Sequence, residues 1–92
     1  MAPRWTPSSG KHGIERVDQI YALVHATYVE RLLDECGDDG TVTLYIGPVH
    51  AQTDRELEVL VNIYDDERES VVFHAMPLGP KFRRYREDHD HD

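Results

Sequence analysis

The clearest pattern in the chain is an alternation of apolar and polar residues over positions 57–64. A period of two is typical of a strand with one face in the core. Two further strands are indicated at 41–47 and 70–76, and turn-forming residues separate all three segments. In the first segment, one predicted face consists of Leu57, Val59, Val61 and Ile63, and the other of Glu58, Leu60, Asn62 and Tyr64.

A fourth strand is predicted at residues 28–33, which are rich in Tyr, Val and Leu, although Glu30 and Arg31 leave a continued helix open. Consecutive strands with short connections form an antiparallel meander. The fold class indicated is therefore α+β, with three to four antiparallel strands in a single domain at 1–86. Its first ten residues, 1–10, are expected to form an irregular arm or a short edge strand anchored by Trp5.

Two helices are predicted to pack on this sheet. An amphipathic helix is indicated from Ile14 to about Ala26, and a short C-terminal helix begins at Pro80. The segment 87–92 contains only charged residues and histidines and is expected to be disordered. The apolar stripe of the first helix consists of Ile14, Val17, Ile20, Tyr21 and Val24, and that of the second of Leu78, Phe82 and Tyr85.

The composition narrows the function class. The chain has 92 residues and a formal net charge of -8, which disfavours tight sequence-independent binding to nucleic acid. No apolar run is long enough to span a bilayer and no signal peptide is recognisable, so we expect a cytoplasmic protein without membrane contact. Cys36 is the only cysteine, which excludes an internal disulfide and a zinc-finger site.

A dense cluster of positive charge stands out against this acidic background. It occupies residues 81–86, directly after the strand that carries His74 and a short Pro/Gly break. Clustered cations can hold a phosphate or a carboxylate even where the overall field is negative. If the chain has a catalytic site, these residues are the best candidates. The cations are Lys81, Arg83, Arg84 and Arg86.

Five short stretches of the sequence form a pattern that spans most of residues 5–86. They are Trp5, Lys11-His12-Gly13-Ile14, Leu44-Tyr45-Ile46-Gly47, Leu57-Glu58-Val59, and His74-Ala75-Met76 before a basic helix. In these stretches the chain resembles the BrnT-type toxins, which are RelE-like ribonucleases of type II toxin-antitoxin systems. The resemblance implies an antiparallel sheet with packed helices, RNA cleavage that arrests translation, and neutralisation by an antitoxin that is also a DNA-binding repressor.

RNA cleavage assigns a role to each candidate residue. Attack of a ribose 2′-hydroxyl on the adjacent phosphate needs a base, an acid, and cations for the charge that builds on the phosphate. We predict that His74, placed opposite Val71, Phe73 and Ala75, is the acid or base, and that Lys81 and Arg84 stabilise charge. The predicted RNA contacts are Arg83, Arg86, Tyr85, Tyr45, His12 and Lys11.

Other interpretations of the same residues stay open. His74 can be a half-exposed strand residue, and the arginines can form a solvated helix face. His12 can contact phosphate at the start of the first helix, or bond the turn at Gly13 and stack beneath Trp5. The whole chain can be an inactive BrnT-like module that binds an antitoxin-like or other protein, and a homodimer is also open. No cofactor or metal is expected, because the His/Asp ending at 88–92 offers ligands without fixed geometry.

Overall fold

The computed structural model describes residues 4–36, 40–66 and 68–89. These residues form an α+β fold with five strands, two helices and a 3₁₀ turn. In chain order the elements are β1 (Arg4–Trp5), the 3₁₀ turn (Pro7–Gly10), α1 (Arg16–Val24), β2 (Tyr28–Cys36), β3 (Thr41–Pro48), β4 (Glu56–Ile63), β5 (Val71–Pro77) and α2 (Pro80–His89).

The strands form one mixed sheet in the order β1-β5-β4-β3-β2. The predicted meander is present as four antiparallel strands, β2 to β5, and β2 settles the open alternative at 28–33 as a strand. The fifth strand, β1, raises the count above the predicted three to four. It is the short edge strand left open for 1–10, and it pairs in parallel with β5. The backbone N–H groups of Arg4 and Thr6 donate to the carbonyl oxygens of Ser70 and Val72, which fixes the N-terminal arm along that edge.

The helices cover opposite faces of the sheet, which we name the α1 side and the α2 side. Alternation along each strand supplies a separate apolar cluster to each side, and together they form the core. The α1-side cluster consists of Ala22, Leu57, Val59, Val61, Val72 and Ala75, and the α2-side cluster of Leu32, Val42, Leu44, Ile46, Leu78 and Phe82.

Helix α1 is rotated relative to the prediction. The side chains of Val17, Ile20 and Val24 are exposed, whereas Gln19 and Ala22 are buried. The reason is close approach: a Cβ added to Gly47 of β3 would overlap the Ala22 carbonyl oxygen, so only a small residue fits at the contact. Of the predicted apolar stripe, Val17, Ile20 and Val24 therefore face away from the sheet, whereas Ile14 packs against the α1-side cluster and Tyr21 is half-buried. The helix ends at Val24 rather than near Ala26.

Helix α2 packs with the predicted face inward. Leu78 and Phe82 are buried, and the half-buried Tyr85 packs against the same cluster. The helix continues to His89, so it includes the first three residues of the segment predicted to be disordered, and 90–92 lie outside the described residues. Neither helix in the described part of the chain is long and apolar enough to span a bilayer.

Candidate catalytic site

The centre of the candidate site is a carboxylate–imidazole pair between adjacent strands. The Nε2 atom of His74 on β5 lies 2.9 Å from Oε2 of Glu58 on β4. The Glu58 side chain is 6% exposed and that of His74 is 26% exposed. One partner is thus enclosed by the protein, while the imidazole reaches the surface.

The sequence of β4 explains why a carboxylate is enclosed at this point. Glu58 lies on the α2 side of β4, and the turn before α2 closes over it. The backbone N–H of Gly79 donates to Oε1 of Glu58 at 2.9 Å. Both carboxylate oxygens therefore have a partner, as a buried charge requires. A negative charge beside the N-terminal end of α2 is also favoured by the helix dipole.

A β-bulge in β5 determines the direction of His74. The register shifts between Leu60 and Val61 of β4, so His74 pairs with Leu60 while Val72 pairs with Val61. The prediction that His74 lies opposite Val71, Phe73 and Ala75 is correct for Ala75 alone. Ala75 belongs to the α1-side cluster, whereas Phe73 packs against the α2-side cluster, and the pairing of Val71 with Asn62 places it on that side too.

The second imidazole at the site is that of His12, which follows the 3₁₀ turn in the chain. The Oγ atom of Ser8 donates to the Phe73 carbonyl oxygen at 2.7 Å, which ties the 3₁₀ turn to the bulge. The exposed His12 follows, and its ring meets that of His74 edge-on with centroids 5.7 Å apart. The ring contact that the structure gives for His12 is with His74, while the Arg16 guanidinium lies 5.2 Å from the centroid of the Trp5 indole.

The predicted cations of α2 differ in exposure and in the groups they contact. Arg86 is half-buried and forms a bidentate ion pair with Glu56, with Nη1 to Oε2 at 2.8 Å and Nη2 to Oε1 at 3.1 Å. Arg83 and Arg84 are exposed, and Nη2 of Arg83 donates a hydrogen bond to the Leu78 carbonyl oxygen at 3.4 Å. Lys81 is exposed, with Nζ 5.0 Å from the Phe82 ring centroid.

The remaining predicted RNA contacts divide between the two sides of the sheet. Tyr45 packs against the α1-side cluster, so the sheet separates its ring from His74. The ring of Tyr85 is on the α2 side and meets that of Phe82 edge-on at 6.4 Å. Lys11 is exposed next to His12. Of the predicted contacts, His12 is thus the one that the fold brings against His74.

Glu58 is the site residue that the sequence analysis did not single out. The available signal was an acidic residue inside the regular alternation of β4, on the same predicted face as Leu60. An acidic residue enclosed in this way needs a hydrogen-bonding partner, and His74 on the adjacent strand β5 is that partner.

The described residues contain no group of three or more His, Cys, Asp and Glu side chains placed to hold a metal ion. No protein-family model matches the chain, and neither a curated protein nor a solved structure matches it. The BrnT resemblance therefore remains a prediction that depends on the residues quoted for it.

Proposed function

We propose that this protein is a metal-independent endoribonuclease of the BrnT/RelE toxin type, with His74 at the centre of its active site. The observation that carries the proposal is that His74 is held by the buried Glu58 and touched by His12. Two neighbouring imidazoles are suited to a reaction that needs one proton acceptor and one proton donor. The α+β architecture, with an antiparallel meander between two helices, is compatible with the same proposal.

The chemistry follows from the partner of each ring. An ionised carboxylate only accepts hydrogen bonds, so Glu58 orients His74 with its proton on Nε2. In the neutral ring Nδ1 then has a free lone pair that can take the proton of a ribose 2′-hydroxyl. The oxygen attacks the adjacent phosphorus, a 2′,3′-cyclic phosphate forms, and the bond to the 5′-oxygen of the next nucleotide breaks. A protonated His12 supplies the proton to that leaving oxygen.

Binding of the RNA backbone is assigned to exposed cations of two segments. Lys11 adjoins His12 in the chain, and Lys81, Arg83 and Arg84 are exposed on α2. Arg86 is better assigned to stability, because its guanidinium is occupied by Glu56. Because the net charge is -8, the protein as a whole repels RNA, and binding depends on contacts between these cations and the phosphates. Salt screens such contacts, so we expect the affinity for RNA to fall as the salt concentration rises.

A second candidate is an inactive BrnT-like module that binds a protein such as an antitoxin. The observation that favours it is the divided α2 cations: Arg86 is paired with Glu56, and Arg84 lies on the exposed face of the helix. A transition state with charge on its phosphate oxygens needs cations fixed close to it. If the α2 cations stay apart when RNA binds, the protein would hold a partner without cutting RNA.

Expression in a bacterial host separates the two candidates. The ribonuclease proposal predicts growth arrest by the parent chain and normal growth when His74→Ala is combined with Lys81→Ala. The control is Thr53→Ala, a change in the β3–β4 loop, which should still arrest growth. Normal growth with the parent chain, together with tight binding of a neighbour-encoded protein, would instead favour the binding module.

A further inference from the structure

The large apolar side chains exposed within the described ranges lie on one side of the sheet. They are Val17, Ile20 and Val24 of α1 and Val29 of β2, with exposed fractions of 65%, 44%, 72% and 52%. Val29 pairs with Tyr45, whose ring packs on the α1 side, so all four side chains lie on that side. Three of the four belong to one face of a single short helix, and an exposed apolar face of this kind is typical of an interaction surface.

We propose that the exposed face of α1 formed by Val17, Ile20 and Val24, named the α1 stripe, binds a second copy of the same chain. The protein is then a homodimer with antiparallel α1 helices. The spacing of Val17, Ile20 and Val24 is three and then four residues, which is the spacing of a seam between two packed helices. The order Val, Ile, Val is also nearly symmetric about its centre. A twofold axis near Ile20 places Val17 of one copy against Val24 of the other, and the patch complements itself.

The charges on the helix favour an antiparallel over a parallel arrangement of two copies. The stripe positions carry no charge, and the nearest charged residues on the helix are Arg16 and Asp18, both near its N-terminal end. In antiparallel packing, Arg16 and Asp18 of one protomer lie beside the C-terminal end of the other protomer's helix, which holds Val24 and His25. The like charges of the two protomers are then separated along the helices. A parallel arrangement would place Arg16 of one protomer beside Arg16 of the other, and this contact between like charges is unfavourable.

Sedimentation velocity over a range of concentrations tests the proposal on the full chain. We expect a reversible dimer that becomes tighter as salt rises, because each copy carries a net charge of -8 and screening weakens their repulsion. Ile20→Glu should weaken the dimer about 100-fold or more, since it places a charge near the axis of both copies. Ala51→Glu adds the same charge in an exposed loop and should leave the dimer intact.

Cross-linking checks the antiparallel orientation. In a Cys36→Ser background, mixed Val17→Cys and Val24→Cys chains should form a disulfide faster than either variant forms one with itself. Circular dichroism of each variant establishes that the fold is retained. A chain that stays monomeric at all concentrations and salts would overturn the proposal, as would a dimer that Ile20→Glu leaves unchanged. Preferential pairing of Val24→Cys with itself would equally overturn it, because that result requires a parallel arrangement.

Discussion

Glu58 and His74 face each other across β4 and β5, with Oε2 and Nε2 2.9 Å apart and the carboxylate almost fully enclosed. The same carboxylate accepts the Gly79 N–H at the start of α2. One side chain therefore orients the candidate catalytic imidazole and secures the turn that leads into the second helix. This double role makes it possible to separate the effects of Glu58 on activity and on stability.

Replacing Glu58 by Gln should abolish most activity with little loss of stability. The amide oxygen can still accept the Gly79 N–H, but the amide NH₂ would donate to His74 and favour the tautomer with its proton on Nδ1. We expect cleavage to slow about 100-fold or more and the free energy of unfolding to change by less than about 1 kcal/mol. Single-turnover cleavage and urea denaturation measure the two quantities.

The control is Glu58→Ala, which leaves the Gly79 N–H without its partner and should cost about 1–3 kcal/mol of stability. Full activity of the Gln variant would show that the carboxylate does not orient a reacting group.

The ion pair between Arg86 and Glu56 should contribute to stability rather than to RNA binding. Both side chains are only about a quarter exposed, at 24% and 27%, and the contact is bidentate. A double-mutant cycle with Arg86→Ala and Glu56→Ala should give a coupling energy of about 0.5–1 kcal/mol. Arg84→Ala, on the exposed face of the same helix, should instead weaken RNA binding at low salt. A coupling energy of zero would contradict the structural role of Arg86.

The contact between α1 and the sheet should be intolerant of added volume at Gly47. A Cβ at this position would overlap the carbonyl oxygen of Ala22, and backbone cannot move aside as a flexible side chain can. We expect Gly47→Ala to cost about 1–3 kcal/mol in the free energy of unfolding. Gly10→Ala is the matched control, because a Cβ there meets nothing within 4 Å. Equal stability of the two variants would show that α1 packs elsewhere.

The acidic loop between β4 and β5 provides a test of local electrostatics. Hydrogen bonds from the Arg68 side chain, and then from its backbone N–H, hold the pKa of Asp66 below the ordinary value of 3.8. Because the folded pKa is the lower one, the contact favours folding above pH 3.8 and this contribution is lost as pH falls through the folded pKa. The Asp66 side chain is exposed to solvent, so the effect on stability should be small.

An NMR titration should give a pKa for Asp66 below 3.8, rising towards 3.8 in Arg68→Gln. The rise should be partial, because the backbone N–H of residue 68 can still donate to the carboxylate. The assignment would be contradicted by identical Asp66 titration curves in the two proteins.

The strands were predictable because alternation reports directly on which residues face a core. The faces assigned to 57–64 agree with the structure, since Leu57, Val59 and Val61 belong to the α1-side cluster and Leu60 to the other side. The face of α1 was not predictable in this way. Val17, Ile20 and Val24 of its predicted stripe face solvent, because the helix lies against the sheet through Ala22, whose backbone closely approaches Gly47.

The candidate site was predictable only in part. His74 was identified from its position before the basic helix. Its pairing with Glu58, which lies 16 residues earlier in the chain, depends on the register of β4 and β5. The contact with His12 depends on β1, a two-residue strand that exists only because the arm pairs with β5. Local patterns carry no information about such distant contacts, and the bulge at Phe73 was likewise invisible in the alternation.

The most direct test of the ribonuclease proposal is cleavage of a single-stranded RNA by the purified chain in the presence of EDTA. We predict cleavage that leaves a 2′,3′-cyclic phosphate, no cleavage of the all-2′-deoxy oligonucleotide of the same sequence, and loss of activity in His74→Ala and in His12→Ala. An intact RNA after prolonged incubation with the folded parent chain would contradict the account, and so would a His74→Ala variant that cleaves at the parent rate.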